Sequence, residues 1–239
     1  VVPEVPLGVA DAMTSGSMGY MIEQCLENCL IKRGLANEVV TVPSQVVVDL
    51  KDPAIDNPSK PIGMFFSEEE AATLAKDKGW VMKEDAGRGW RRYVASPYPL
   101  DIVEKASIRR LVKDGITVIT GGGGGIPVYY TPERRIEGID CVIDKDLASM
   151  KIALAVHSSL LVIITGVPHV VLNFGKPNEK SLDRLTLAEA RHYQIDGQFP
   201  AGSMGPKIQA AMEFVQADSD NRVIITDVEH LQAALDGDA

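Results

Sequence analysis

The chain has 239 residues, of which 45% are hydrophobic and 24% charged, as expected for a globular protein with a sizeable core. Its formal net charge of −9 argues against a nucleic-acid-binding protein, because non-specific binding needs a basic surface. The 3 cysteines form no CxxC pair, so they predict neither a disulfide framework nor a zinc site, and they suit a reducing cytoplasm. No apolar run approaches the length of a membrane span.

The N-terminal part combines a helix with short strands. Apolar residues recur at helical spacing from Asp11 to Leu30, and Gly34 is a suitable C-cap. Residues 38–50 form either a strand pair or one long strand broken at Pro43. The segment at about 51–98 lacks regular strand–helix alternation, so we interpret it as an insertion subdomain within a single domain spanning 1–239.

Strands and helices alternate in the remainder of the chain. A helix is predicted from Pro99 to Lys113, and Asp227 is predicted to cap the last one. Strands that alternate with helices indicate a mainly parallel sheet covered on both faces. The fold class is therefore α/β.

Five consecutive glycines, Gly121 to Gly125, follow the β-branched run that ends at Thr120. Such a loop at the carboxyl end of a strand is typical of anion binding through backbone N–H groups. It matches neither the Walker A loop nor the Rossmann turn, because Ile126-Pro-Val128 opens no helix. The alternative is a flexible surface loop, which the flanking apolar residues disfavour.

Three lysines have unusual sequence settings. Lys60 lies in a stiff proline-flanked turn, and Lys145 stands between two aspartates where a strand gives way to a helix. Lys207 follows Gly202-Ser-Met-Gly-Pro206, in which Ser203 is predicted to cap a helix. A cation at a helix N-terminus opposes the macrodipole, so Lys145 and Lys207 need a compensating anion. Phosphate would serve, although a solvated surface position remains the better interpretation for any one lysine alone.

Together these features predict phosphoryl transfer, which relies on positioning and on neutralising charge. The 4 histidines lack metal-ligand spacing, and we predict no protein metal ligands.

The motifs resemble the carbamate kinases of the amino acid kinase superfamily. The resemblance extends from Met13 to Leu235 and keeps the family's order. It rests on these segments: Met18-Gly-Tyr-Met21, Asn57-Pro-Ser-Lys-Pro-Ile-Gly63, Asp85-Ala-Gly-Arg-Gly-Trp-Arg-Arg92, Gly122-Gly-Gly-Gly-Ile-Pro-Val128, Val142-Ile-Asp-Lys-Asp146, Asn173-Phe-Gly-Lys-Pro177 and Gly202-Ser-Met-Gly-Pro-Lys207.

The resemblance implies a three-layer α/β/α sandwich with a protruding subdomain. The implied reaction is reversible phosphoryl transfer between ATP and carbamate, usually run from carbamoyl phosphate and ADP toward ATP. It also implies Mg²⁺, a homodimer, a cytoplasmic location and a place in arginine catabolism, with no nucleic-acid or membrane partner.

The resemblance also implies roles for individual residues. Lys145 and Lys207 match the lysines that neutralise the transferring phosphoryl group, Asp146 the aspartate that organises them, and Lys60 the lysine of the subdomain. The glycines that match the loop facing the carbamoyl group are Gly122, Gly123 and Gly124. The segments that line the nucleotide site contain Thr165, Tyr193, Ser203 and Met204, in addition to Lys145 and Lys207.

Two departures from the family keep alternatives open. The family's early Gly-Gly-Asn strand and its later His-Gly-Asn-Gly-Pro-Gln loop do not occur in this chain, so we expect part of the phosphate cradle to be lacking. Gly166 and Pro168 stand where the family often has aspartate after the threonine, which would alter nucleotide contacts. The alternatives are a catalytically impaired binding or scaffold protein and a kinase for another small carboxylate or carbamate.

Overall fold

The computed structural model describes residues 5–85, 87–200 and 202–237. Ala86, in the motif that runs from Asp85 to Arg92, lies outside the described residues. The chain divides into two compact units, Val1–Lys145 and Asp146–Ala239. The single domain inferred from the sequence stays a prediction. No helix in the described ranges is long and apolar enough to cross a membrane.

The first unit opens with a long helix followed by short strands, as the sequence predicts. Its helices before the unit boundary are α1 (Leu7–Lys32), α2 (Glu68–Lys78) and α3 (Lys105–Lys113). Its strands are β1 (Val39–Val42), β2 (Gln45–Val47), β3 (Lys60–Phe66), β4 (Val81–Glu84), β5 (Trp90–Val94), β6 (Asp101–Ile102), β7 (Thr117–Thr120), β8 (Ile126–Tyr130) and β9 (Ile136–Gly138). Gly34, at φ 68°, ends α1 in the left-handed conformation that glycine adopts readily.

Parallel pairing brings two strand ends to the glycine loop. β1 pairs with β7, and β2 pairs with β8, both in parallel register. β6 and β9 add antiparallel edges to the second sheet, in the order β6-β2-β8-β9. The helix predicted from Pro99 is wrong at its start, because Leu100 and Val103 donate backbone hydrogen bonds to Val47 and Gln45. The chain therefore joins the sheet first, and α3 begins at Lys105.

The predicted insertion contains its own small sheet. Strands β3, β5 and β4 form an antiparallel sheet in that order. α2 begins with a capping box, in which the Ser67 hydroxyl accepts the N–H of Glu70 and the Glu70 carboxylate accepts the N–H of Ser67. Gly79 then ends α2 in the left-handed conformation.

The second unit repeats the parallel strand–helix arrangement on a smaller scale. Its helices are α4 (Lys145–Ala155, which begins at the unit boundary), α5 (Leu187–Ile195), α6 (Met204–Ala217) and α7 (Leu231–Asp236). Its strands are β10 (Leu160–Ile164), β11 (Val170–Leu172), β12 (Lys180–Leu182) and β13 (Arg222–Thr226). β10 and β13 are parallel, whereas β11 and β12 form a hairpin.

A buried apolar cluster joins the hairpin of the second unit to α5 and α6. Its members are Val170, Leu172, Ala190, Phe199 and Ile208. Asp227 does not cap α7 directly, contrary to the prediction. Its carboxylate accepts the N–H of His230, and α7 starts one residue later.

Candidate active site

The glycine loop is a tight turn whose last two residues, Gly124 and Gly125, are buried. Gly121, Gly123, Gly124 and Gly125 all have positive φ. A β-carbon on Gly124 would lie 2.3 Å from the carbonyl oxygen of Ile143, a distance that real β-carbons do not reach. Both the backbone conformation and the packing therefore require glycine at position 124.

The turn leaves two backbone donors for a ligand. The N–H groups of Gly124 and Gly125 bond to the carbonyls of Gly121 and Gly122, and the Ser44 hydroxyl accepts the N–H of Gly121. In the described chain, the N–H groups of Gly122 and Gly123 make no hydrogen bond to another protein group. Successive backbone N–H groups in such a turn form a concave anion site.

An acidic side chain from α1 faces this turn. Asp11 Oδ1 lies 3.3 Å from where a β-carbon of Gly123 would be, and among the described residues Oδ2 is buried with no hydrogen-bond partner. Burial raises the pKa of Asp11 from 3.8 to about 6. Asp11 carries no signal in the sequence, because no pattern marks which face of α1 meets the glycine loop.

Lys60 is held by an aspartate that the sequence analysis assigned no role. Its Nζ donates to Asp144 Oδ2 at 2.8 Å, and the side chains of Lys60 and Asp144 are 34% and 12% exposed. Lys60 begins β3, and Asp144 immediately precedes α4. The sequence shows that Asp144 is one of two acids beside Lys145. It does not show that Asp144 pairs with Lys60, which lies 84 positions away.

Lys207 and Asp146 form a buried ion pair in the second unit. Lys207 Nζ donates to Asp146 Oδ2 at 2.7 Å, and both side chains are 9% exposed. Asp146 lies in the first turn of α4, where a carboxylate interacts favourably with the helix dipole. Lys207 lies in the first turn of α6, where the dipole disfavours a cation, so the carboxylate supplies the compensation that the sequence predicted.

Lys145 is the first residue of α4 and its side chain is exposed. In the Asp144-Lys145-Asp146 motif, Asp144 binds Lys60 of the first unit, and Asp146 binds Lys207 of the second unit.

A cavity of about 270 Å³ lies beside Lys207 in the second unit. Four of the residues predicted to bind the nucleotide line it: Thr165, Ser203, Met204 and Lys207. The predicted side-chain cap by Ser203 is wrong, because Ser203 makes no such hydrogen bond to α6. The backbone at Ser203 has φ −141° and ψ −83°, and the hydroxyl belongs to the cavity wall. The volume suits part of a nucleotide and not the whole molecule.

Tyr193 does not line this cavity. It packs against the buried cluster of the second unit, and its ring lies 5.6 Å from that of His192. Its predicted contact with the nucleotide stays a prediction. Gly166 is one of the two positions at which the sequence departs from the pattern expected of the family, and it lines the cavity.

Comparison with known proteins places the chain in a family. Residues 67–227 match the model of the amino acid kinase family. The carbamate kinase of Pyrococcus horikoshii is 49% identical over 99% of this chain and 74% of its own length. The Escherichia coli carbamate kinase-like protein YqeA is 44% identical over 98% of this chain and 75% of its own length. The chain thus spans about three quarters of the curated relatives it matches.

Solved structures agree with these relatives. The Giardia lamblia carbamate kinase bound to AMP-PNP has a TM-score of 0.90 and 43% identity, covering 100% of this chain and 75% of the Giardia chain. A protein from Aeropyrum pernix has a TM-score of 0.92 and 40% identity, covering 99% of this chain and 76% of its own. The α/β fold class predicted from the sequence is confirmed. The chain belongs to the carbamate kinases of the amino acid kinase family.

Proposed function

We propose that this protein transfers a phosphoryl group reversibly between ATP and carbamate. In the ATP-forming direction, an oxygen of the ADP β-phosphate attacks the phosphorus of carbamoyl phosphate. The bond from phosphorus to the carbamoyl oxygen breaks, and carbamate leaves with the electron pair and decomposes to ammonia and CO₂. The similarity to curated carbamate kinases over nearly the whole chain supports this reaction.

The observation that carries the proposal is Lys207, which lines the cavity and is paired with Asp146. The aspartate carboxylate compensates an ammonium group that is buried at a helix N-terminus. The cavity contains no other lysine or arginine side chain among its lining residues. A nucleotide phosphate beside Lys207 would therefore meet a fixed positive charge and the N-terminus of α6, which favour a phosphoryl group.

We assign the acyl substrate to the first unit. The N–H groups of Gly122 and Gly123 are suited to an anionic oxygen of carbamate or carbamoyl phosphate. Lys60, held by Asp144, would neutralise charge on the phosphoryl oxygens. Lys145 would do the same from the start of α4, as the resemblance implies.

The nucleotide is ATP or ADP, consistent with the Giardia enzyme bound to AMP-PNP. We propose that Mg²⁺ arrives with the nucleotide, where it neutralises charge on the phosphates. Among the described residues, no group of three or more His, Cys, Asp or Glu side chains is arranged to hold a metal. Mg²⁺ usually keeps several waters and binds through substrate phosphates, and we assign no protein ligand to it.

The test is ATP formation from ADP and carbamoyl phosphate, measured with luciferase. We expect the full-length protein, with the loops missing from this sequence, to form ATP and its Lys145→Ala variant to lose nearly all of the activity, because the charge on the transferring group is then less neutralised. A matched control is Lys151→Ala, in the same helix but outside the proposed set. Absence of ATP from a folded chain that still binds ADP would contradict catalysis and favour the impaired binding protein.

We also propose a homodimer in the cytoplasm. Exposed large apolar side chains on α1 support the dimer, among them Met13, Met18, Met21 and Ile22, since apolar patches mark interaction surfaces. Three free cysteines suit a reducing compartment. Light scattering coupled to size exclusion should give twice the chain mass of 25.8 kDa. A monomer at micromolar concentration would contradict the dimer.

A further inference from the structure

Two histidines lie close together where the parallel strands β10 and β13 end. His169 lies in the loop between β10 and β11, and His230 lies in the loop between β13 and α7. The centroids of their rings are 6.3 Å apart, and the ring planes are inclined at 49°. Because the two residues are far apart along the chain, sequence spacing gave no indication of this pair.

Hydrogen bonds hold the two loops against each other. The N–H of Thr165 donates to the carbonyl of Thr226 at 2.8 Å, at the end of the β10–β13 ladder. The Thr226 hydroxyl donates to the carbonyl of Pro168, next to His169, at 3.1 Å, and Thr226 is only 3% exposed. The sheet itself therefore sets the separation of His169 and His230.

Aspartates determine which ring nitrogens are open to a ligand. His230 Nδ1 lies 2.7 Å from Asp227 Oδ1. A carboxylate can only accept, so Nδ1 carries the proton and Nε2 of the neutral ring keeps a lone pair. Hydrogen bonds from the ring and then from the backbone N–H of His230 lower the pKa of Asp227, so this carboxyl group is ionised at neutral pH. His169 has the same kind of neighbour at longer range, since its Nδ1 lies 3.9 Å from Asp183 Oδ1.

Both Nε2 atoms are open to a ligand. Within the ranges that the structure describes, neither of them makes a hydrogen bond to another protein group. The side chains of His169 and His230 are 31% and 50% exposed. A Zn–N bond of 2.0–2.1 Å puts an imidazole centroid roughly 3.2 Å from the metal, so two rings that share one ion have centroids roughly 5 to 6.4 Å apart. The observed separation of 6.3 Å lies at the upper end of that range.

We propose that His169 and His230 together bind one divalent transition-metal ion through their Nε2 atoms. Imidazole suits Zn²⁺, Ni²⁺ and Co²⁺, whereas Mg²⁺ prefers oxygen ligands. Water completes the coordination, because the pair is partly exposed. Asp227 acts as a positioning residue, since a carboxylate on the second ring nitrogen fixes the tautomer and makes the ligand more basic. The proposal uses none of the phosphoryl-transfer residues, so it is independent of the proposed function.

A test with zinc must first remove a competing ligand pair. Cys25 and Cys29 are free and exposed, and their spacing puts them on one face of α1. Two thiolates also bind Zn²⁺. The reference protein for the titrations is therefore Cys25→Ser, without an affinity tag and freed of metal by a chelator that is then removed.

The test is calorimetric titration of ZnCl₂ into this reference protein. We expect one ion per chain, and roughly tenfold or greater loss of affinity when either His169→Ala or His230→Ala is added, because a single imidazole has no chelate partner. His192→Ala is the matched control, since His192 is an exposed histidine of the same unit that also pairs with an aspartate, Asp196, at 3.3 Å. It should leave the Kd unchanged. An unchanged Kd in either site variant, or one ion shared by two chains, would overturn the proposal.

Asp227→Asn tests the positioning of His230. Asparagine can still accept the Nδ1 proton but has no charge, so the affinity for Zn²⁺ should fall roughly tenfold. An unchanged affinity would refute the role of Asp227.

Melting temperature provides a second readout, which does not depend on enzyme activity. ZnCl₂ at ten times the Kd should raise the melting temperature of the reference protein by roughly 3–6 °C, because the ion links two loops of the folded state. His169→Ala and His230→Ala should show no such rise, and MgCl₂ should not reproduce it. An equal rise with zinc in the reference protein and in both histidine variants would show that the ion binds elsewhere, and would overturn the proposal.

Discussion

At the scale of single residues, two lysine–aspartate pairs differ mainly in burial. Lys207 and Asp146 are 9% exposed, whereas the Lys60 side chain is 34% exposed. Removing one partner of a buried pair leaves a charge without compensation in a medium of low polarity. Lys60 is partly exposed, so water weakens its pair with the buried Asp144 more than it weakens the Lys207–Asp146 pair. The Lys207–Asp146 pair should therefore contribute more to the free energy of unfolding than the Lys60–Asp144 pair does.

We expect Lys207→Ala to lower the free energy of unfolding by about 3–5 kcal/mol, because Asp146 is then buried without a partner. Lys60→Ala should lower it by less, because Lys60 is partly exposed and water screens its pair with Asp144 to some extent. Urea unfolding followed by circular dichroism measures both. Equal losses would contradict the assignment of Lys207 as the buried partner. Both variants should lose activity in the luciferase assay.

Asp11 should make stability depend on pH. Its folded pKa of about 6 lies above the ordinary value of 3.8, so the folded state disfavours the carboxylate. The resulting penalty is absent below about pH 4, grows as the pH rises and is complete above about pH 6. Asp11→Asn should therefore be more stable than the wild type at pH 8, and the gain should disappear at pH 4. A gain that is the same at both pH values would contradict the raised pKa.

At the scale of elements, the glycine turn contains positions of unequal importance. Gly124 has φ 105° and no room for a β-carbon, whereas Gly122 has no positive φ and its nearest neighbour would be 3.3 Å away. We expect Gly124→Ala to destabilise the chain by roughly 2 kcal/mol or more, through strain and overlap. Gly122→Ala should stay within about 1 kcal/mol. Thermal unfolding of the two variants measures this difference. Equal melting temperatures would contradict the prediction that Gly124→Ala is the more destabilising change.

The elements also show what local sequence could predict. The long helix α1 and the strand before the glycines follow from periodicity and from glycine positions. The start of α3 does not, because backbone bonds from Leu100 and Val103 to β2 override helix propensity. The pairing of Asp144 with Lys60 also escaped detection, since the two residues lie 84 positions apart and are brought together only by folding. The motifs thus identified the lysines and Asp146, and the fold added Asp144.

At the scale of the whole molecule, acidity should govern contacts with polyanions. The sequence pI is about 5.0, and 33 acidic residues outnumber 24 basic ones. Because duplex DNA attracts basic surfaces by releasing counterions, we expect no retardation of a DNA duplex by micromolar protein, even at low salt. A salt-sensitive shift in a gel retardation assay would contradict this prediction. ADP should still bind, because its site is built from a few local charges.

The differing burial of the three lysines also determines their chemical access. Lys145 is exposed at the start of α4, whereas Lys207 is buried against a carboxylate and its amine is occupied as a donor. Acylation needs an accessible, deprotonated amine, so acetyl donors would reach Lys145 well before Lys207. A modification of this kind would neutralise one positive charge while leaving the buried Lys207–Asp146 pair in place. Under the role proposed for Lys145, acetylation there would lower turnover without breaking that pair.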